Sequence, residues 1–528
     1  MSGSFAGLGP VTGIALRRDR IRLVAWVVGL ASFPVASYTS YESLFPTAAS
    51  RQALVASFGS TPAFRLLLGP ARGLAAPGGF TAWRSGLFSG VFVALMAIFT
   101  VVRHSRAEEE SGRAELVGSG VVGRRTLLAP GVVVAVATAG VAAVGVAVSL
   151  VAVGAPAAGS IAQGAALFGT AVAFAGVAAV AAQVGGFAHT ANGLAGAVLG
   201  VAYVLRGYGD SSDGASWVSW VSPLGWGQQV HAFTGDRWWV LAIPLGFGCS
   251  MLIVADRLLH RRDLGSGLLV ARSGRADASP YLAGPFGLAW RLQRGALLGW
   301  VVAYAVSGVL FGSIAASAAD LLSNNPTAAK MLSAAGGTPT EAFVASMVSI
   351  LGIVAAVYGL QAVLRARREE VDDRVEPLLA TATTRGRWLG SHLAFGLVGS
   401  ALVTLVGGLT VALGASGASG SPSVGATAAA ALAQVPAVWV IVALTAALVG
   451  VAPGWASAAW GAVVAALVLT FFGPLLDLPA RVLQLSPFSH VPRAPAEPLV
   501  ATPLLVLVAV AASMVAVAMV GMARRDVG

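Results

Sequence analysis

The sequence predicts an all-α integral membrane protein of about twelve transmembrane helices, arranged as two parallel tandem repeats of six. Three observations lead there. The 528 residues are 57% hydrophobic and only 10% charged, with a mean hydropathy of +0.81, which is more apolar surface than one soluble core can enclose. Two long stretches, Thr126 to Leu205 and Trp388 to Leu476, contain no Asp, Glu, Lys or Arg. Each follows a similar charged segment, RHSRAEEESGRAELVGSGVVGRR at 103–125 and RARREEVDDRVEPLLATATTRGR at 365–387. A shift of 261 residues superposes Arg106 on Arg367, Glu108 on Glu369, Glu109 on Glu370, Arg113 on Arg374, Glu115 on Glu376 and Arg124 on Arg385.

A helix crosses a bilayer with about 20 apolar residues at about 1.5 Å rise each, so every charge-free stretch has room for three spans. In the first half the spans are expected at 23–42, after the basic run Arg17 to Arg22, at 85–102, ending at the charged segment, and at 129–153, 161–185 and 191–206. A sixth, at 238–256, precedes Arg257 to Arg262. The second half repeats the series at 296–318, 344–364, 391–413, 427–450, 455–475 and 501–521. Further matches tie the halves together: Trp26 with Trp300, Ser222-Pro223 with Ser486-Pro487, and Arg261-Arg262-Asp263 with Arg524-Arg525-Asp526. The expected domains are residues 1–265, with an N-terminal amphipathic segment around Arg17 to Arg22 lying on the membrane, a linker at 266–290, and residues 291–528.

With the N-terminus inside, the inner segments hold 24 of the 33 basic residues, which places both termini and both charged segments in the cytoplasm of a plasma-membrane protein. An even number of spans per half makes the copies parallel. The net charge of +11 is then explained by lipid headgroups and insertion bias, with no nucleic-acid partner. Cys249 is the only cysteine, forms no intrachain disulfide and reads as a small core residue.

Little in the sequence points to catalysis. No GxxxxGK[ST] occurs, the only lysine is Lys330, and the chain is expected to bind no ATP itself and to carry no cofactor or metal. The histidines at 104, 189, 231, 260, 392 and 490 form no ligand pattern. Intramembrane ionisable groups of the kind that couple transport to protons are scarce: Glu42, Asp256 and Arg206 lie near span ends, and His189 in a short turn. Energy is therefore expected from a second polypeptide acting on the charged segments, where Glu109 and Arg113, like Glu370 and Arg374, have the four-residue spacing of a helical ion pair.

Six spans per unit, a basic segment before the first and a charged loop between the second and third resemble permease subunits of the ABC-2 type. The duplicated form, with R-x-EE-x(3)-R-x-E in each loop and LSPFSHVP before the last span, is similar to actinobacterial exporters of the polyketide-antibiotic or tetronasin type. The resemblance implies a pseudo-dimeric permease above two copies of a separate ATPase that binds ATP and Mg, an assembly serving efflux and antibiotic resistance. It also implies that Arg106, Glu108, Glu109, Arg113 and Glu115, with Arg367, Glu369, Glu370, Arg374 and Glu376, face those ATPases. In the first half SPLGWGQQ replaces SPFSH, a departure that makes the halves unequal on the outer side.

Phe88, Phe92, Phe99, Tyr203, Phe471 and Phe472 are candidates for lining an apolar cavity, although packing or lipid contact accounts for them equally well. A hydrophobic drug or polyketide is the expected substrate. Trp217, Trp220, Trp226, Trp238 and Trp239 read as an interfacial belt. On this reading Glu109→Arg with Glu370→Arg is expected to insert normally and lose export. The alternatives are a proton-coupled twelve-helix carrier, whose loop signature is only half met by Gly123-Arg124-Arg125, and a scaffold that transports nothing.

Overall fold

The computed structural model describes residues 5–526 except 60, 61, 121, 212, 213, 264, 269–278, 280, 281, 283, 324–337, 417–419 and 472–478. Among the described residues there is no strand, and twelve helices are long and apolar enough to cross a membrane. The first six are α1 (Leu8–Thr39), α2 (Pro77–Arg103), α3 (Ala129–Ala152), α4 (Ala157–Val184), α5 (Ala188–Ser211) and α6 (Ala242–Arg261). The second six are α7 (Pro285–Ser323), α8 (Pro339–Val371), α9 (Arg385–Ala415), α10 (Val424–Val451), α11 (Ala459–Phe471), which reaches spanning length only with the 3-10 turn Pro453–Ala458 before it, and α12 (Ala501–Arg524). All twelve expected spans have a helix. Several are longer than hydropathy indicated, because Arg and Glu are good helix formers and the backbone does not stop where the apolar stretch does. The largest difference is α1. The basic run Arg17 to Arg22 is no separate surface helix but lies inside one continuous 32-residue helix.

The chain forms two compact units, Met1–Ser273 and Gly274–Gly528. Within the first, α4 is the central helix, packed against α2, α3, α5 and α6, while α1 rests on α2 and α3. Its run of Ala and Gly allows this. A Cβ on Gly176 would come 2.7 Å from the Gly248 carbonyl oxygen, and one on Gly248 would come 2.6 Å from that of Val172, so α4 and α6 touch backbone to backbone. The second unit repeats the pairing of first with third helix, α7 on α9, and of fourth with sixth, α10 on α12. Outward faces are apolar, for example Val141, Val144 and Val148 on α3 and Leu505, Val506 and Val517 on α12, as expected where lipid is the solvent. Cys249 belongs to such a face. It is exposed rather than in the core, because its neighbour Gly248 is the residue turned to α4.

Polar chemistry sits at helix ends. Thr338 and Glu341 form a reciprocal capping box at the start of α8 (Glu341 N to Thr338 Oγ1 3.2 Å, Thr338 N to Glu341 Oε2 2.7 Å). Arg206, near the end of α5, is fully buried and donates to the Leu66 carbonyl at 2.6 Å and to Asp210 at 3.4 Å. It thereby holds the short helix Pro62–Leu68 and belongs to packing rather than to an ion pathway.

Candidate functional site

The charged segments fold as short helices beyond the second span of each unit. After α2 the chain forms Arg106–Glu110, reverses at Gly112, whose φ of 73° is left-handed, and continues as Arg113–Gly118. In the second unit α8 runs through Glu369 and Glu370 to Val371, Asp373 takes φ 54°, and Glu376–Leu379 follows. These breaks separate Glu109 from Arg113 and Glu370 from Arg374, so neither expected helical ion pair forms. Arg113 instead binds Glu108 at 2.7 Å and Arg374 binds Asp372 at 3.4 Å. The hydrogen bond to Glu108 holds the Arg113 guanidinium above its ordinary pKa.

Glu109 turns inward. Its carboxylate is gripped by Arg262, just past α6, at 2.5 and 2.8 Å, and by Arg106 at 2.8 Å. Arg262 also donates to Gln183 Oε1 on α4 at 2.8 Å. Arg106 is 1% exposed and donates to the carbonyls of Gly186, after α4, and of Gly265 and Ser266, after α6. The second unit repeats this with its own residues. Glu370 receives Arg525, just past α12, at 2.5 and 2.8 Å, and Arg367 at 3.0 Å. The carbonyl of the gripping arginine is itself bound in both units, Arg262 O by Arg124 and Arg525 O by Arg385, the latter at 2.6 Å. Each charged loop is thus braced to the end of the last helix of its own unit. A bidentate carboxylate–guanidinium pair fixes direction as well as distance.

The remaining acidic residues tie the first helix of each unit to the region of its charged loop. Glu108 binds Arg18 at 2.5 Å, and buried Asp19 accepts from Arg103 Nε and pairs with His104 Nε2, both at 2.8 Å. In the second unit Glu369 pairs with His392 at 3.3 Å, and His392 is bonded to Gln293 at 3.0 Å. Removing the Asp19 charge by Asp19→Asn leaves Arg103 and His104 without it. The expected result is a loss of roughly 1–3 kcal/mol in stability, read as a lower thermal midpoint for the detergent-solubilised chain; an unchanged midpoint would contradict the anchoring.

Of the ten charged residues singled out in the sequence, Arg113, Glu115, Arg374 and Glu376 are exposed. Glu108 and Arg367 are partly covered, while Arg106, Glu109, Glu369 and Glu370 are buried. Of the ten, then, six are wholly or partly covered by contacts inside their own unit and four are exposed. Glu109→Arg would set a third guanidinium against Arg106 and Arg262, so it is no longer expected to leave the fold intact.

The aromatic candidates scatter. Phe88, Phe92 and Phe99 are exposed on α2, whereas Tyr203 donates to the Leu67 carbonyl at 3.1 Å and stacks under Arg206. The Phe471 side chain and Phe472 lie outside the described residues. Trp217, Trp238 and Trp239 are exposed as a belt requires, and Trp220 stacks on Trp239. Trp226 departs from the belt, being buried with its indole N–H on the Trp220 carbonyl at 2.6 Å. Among the described residues no group of three His, Cys, Asp or Glu side chains is placed to hold a metal.

Twelve apolar helices with lipid-like outer faces define an all-helical, multi-pass membrane protein. The family described as "Multidrug efflux system permease Rv1217c, C-terminal domain" matches residues 8–254 and 282–522. The chain is 40% identical over 532 residues to the multidrug efflux system permease protein Rv1217c of Mycobacterium tuberculosis, a match covering 99% of this chain and 96% of that protein. The chain belongs to this permease family.

Proposed function

We propose that this chain is the membrane-spanning subunit of an ABC-2 type exporter of hydrophobic drugs or polyketide-type antibiotics. Two copies of a separate ATPase, which bind ATP and Mg, dock against the charged loops on the cytoplasmic side of the plasma membrane, where both termini also lie. Likeness to a multidrug efflux permease supports export. The observation that carries the coupling is the duplicated brace, in which Glu109 with Arg262 and Glu370 with Arg525 join each loop to the last helix of its unit. A push on the exposed Arg113 and Glu115, or Arg374 and Glu376, passes through these pairs into packed helices rather than into a loose loop. Its direct targets are α4 and α6 in the first unit and α12 in the second.

The test is purification of the tagged full-length chain from its native membrane in mild detergent, with mass spectrometry and an ATPase assay on the product. An ATP-binding subunit at two copies per chain, with drug-stimulated hydrolysis, is the expected result. Isolation of the chain alone, with drug efflux lost on collapsing the proton gradient but not on depleting ATP, would replace this reading with a secondary carrier.

A further inference from the structure

A cavity opens in the first unit at the end opposite its charged loop, between the first half of α2, the first half of α4 and the loop that precedes α6. Glycines make the space. Gly86 and Gly90 bring bare backbone to the α2 wall, and a Cβ on Gly86 would meet nothing nearer than Gln163 Nε2 at 3.6 Å. The remaining wall is mixed, with Trp83, Leu87 and Leu224 beside Arg72, Gln163 and His231.

Three features of the polar side are unresolved by the protein itself. Arg72 makes no hydrogen bond or close ion pair among the described residues, and its pKa is lowered by burial first, against the attraction of Asp210 and with smaller repulsion from Arg237 and Arg65. The nearby carboxylate Asp210 is already committed to Ser219 Oγ at 2.6 Å and to Arg206 at 3.4 Å. His231 is 9% exposed, is pushed down to about 4 by burial and by Arg72 and Arg237, and its Nε2 has no partner. Gln228 donates to the Leu68 carbonyl at 2.6 Å while its Oε1 is buried and unpaired. A half-buried guanidinium that shares one distant carboxylate with Arg206 and has no hydrogen-bonded partner of its own, set beside the unpartnered buried Nε2 of His231 in one cavity, is suited to an anion, since a charge-assisted bond there satisfies its free donors. Neutral His231 adds a second donor in its Nε2–H tautomer.

Size narrows the ligand. The cavity offers about 60 Å³, where one water needs roughly 10–15 Å³. That admits a carboxylate or phosphate headgroup. The apolar wall of Trp83, Leu87 and Leu224 suits the chain attached to such a group. We infer that this cavity binds the anionic headgroup, carboxylate or phosphate, of an amphiphile, with Arg72 as its counter-ion. The headgroup comes either from an acidic solute or from an anionic lipid.

The test uses the full-length chain in phosphatidylcholine nanodiscs, without ATP or any partner, so it stands apart from the ATPase-coupling reading. Dansylaminoundecanoic acid is the probe, its methyl ester the uncharged control, and empty nanodiscs the background. The acid should bind the wild type more tightly than the ester. Arg72→Gln should weaken the acid by about ten- to a hundredfold and leave the ester unchanged. Gly86→Val, whose Cβ fits at ordinary contact distance, should weaken both by narrowing the cavity and serves if Arg72→Gln yields no monodisperse protein. Replacing part of the phosphatidylcholine with phosphatidylglycerol distinguishes the sources: displacement of the probe identifies a lipid headgroup, and undiminished binding identifies a free acid. Equal affinity of acid and ester for the wild type, or full affinity of the acid for Arg72→Gln, would overturn the inference.

Discussion

Glu109→Gln is expected to be among the most damaging single substitutions in the chain, and Glu370→Gln its counterpart in the second unit. Each removes the carboxylate that neutralises two guanidinium groups, Arg106 and Arg262 or Arg367 and Arg525. The Glu109, Arg106 and Arg262 side chains are 3%, 1% and 3% exposed, so solvent cannot take over. Breaking a buried pair from one side costs roughly 3–5 kcal/mol, because the remaining charge is left uncompensated. The second unit should lose less, since Arg367 is 30% and Arg525 17% exposed. The measurement is the thermal midpoint of the solubilised chain by loss of its monodisperse peak. Adding Arg262→Met to Glu109→Gln should recover part of the loss, because removing the stranded charge is cheaper than leaving it. Midpoints within error of wild type for Glu109→Gln would mean that the brace carries no energy.

The brace also shows where sequence reasoning reached its limit. The twelve spans were legible because apolar runs and repeated charges are local properties of the chain. The partners were legible as well: Glu109 and Glu370 recur at one spacing, and Arg262 and Arg525 recur in the matching Arg-Arg-Asp ends. Their pairing was not, since 153 residues separate Glu109 from Arg262 and nothing local sets that distance. Helical spacing pointed to Arg113 instead, and it failed because Gly112 takes a left-handed conformation that ends the helix between them. Asp19 posed the same difficulty. An acid inside RRDRIR looks like a solvated residue of a basic patch, yet it is 4% exposed and answers Arg103 and His104 from another helix. Arg72 carried no signal at all, for its significance comes from glycines on α2 and a loop more than a hundred residues later.

The second large effect is one of function with the fold left intact. Reversing the exposed charges together, Arg113→Glu with Glu115→Arg and Arg374→Glu with Glu376→Arg, should abolish drug export and partner-stimulated ATP hydrolysis while the thermal midpoint moves little. Stability is largely spared because Arg374 holds only an exposed pair with Asp372, and Arg113, itself half exposed, leaves Glu108 its second partner Arg18; pairs near the surface contribute roughly 0–1 kcal/mol each. On the proposed coupling, docking is not spared, because a complementary surface would meet like charge at every reversed position, and such a juxtaposition costs several kcal/mol. The two experiments divide the ten charged residues by what they do. Loss of stability at Glu109 with loss of coupling at Arg113 and Glu115 would describe a loop whose inner face transmits and whose outer face receives. Export at the wild-type rate by the fourfold variant, with its midpoint unchanged, would remove the outer face from the mechanism. The braces would then serve only to hold the helix ends together.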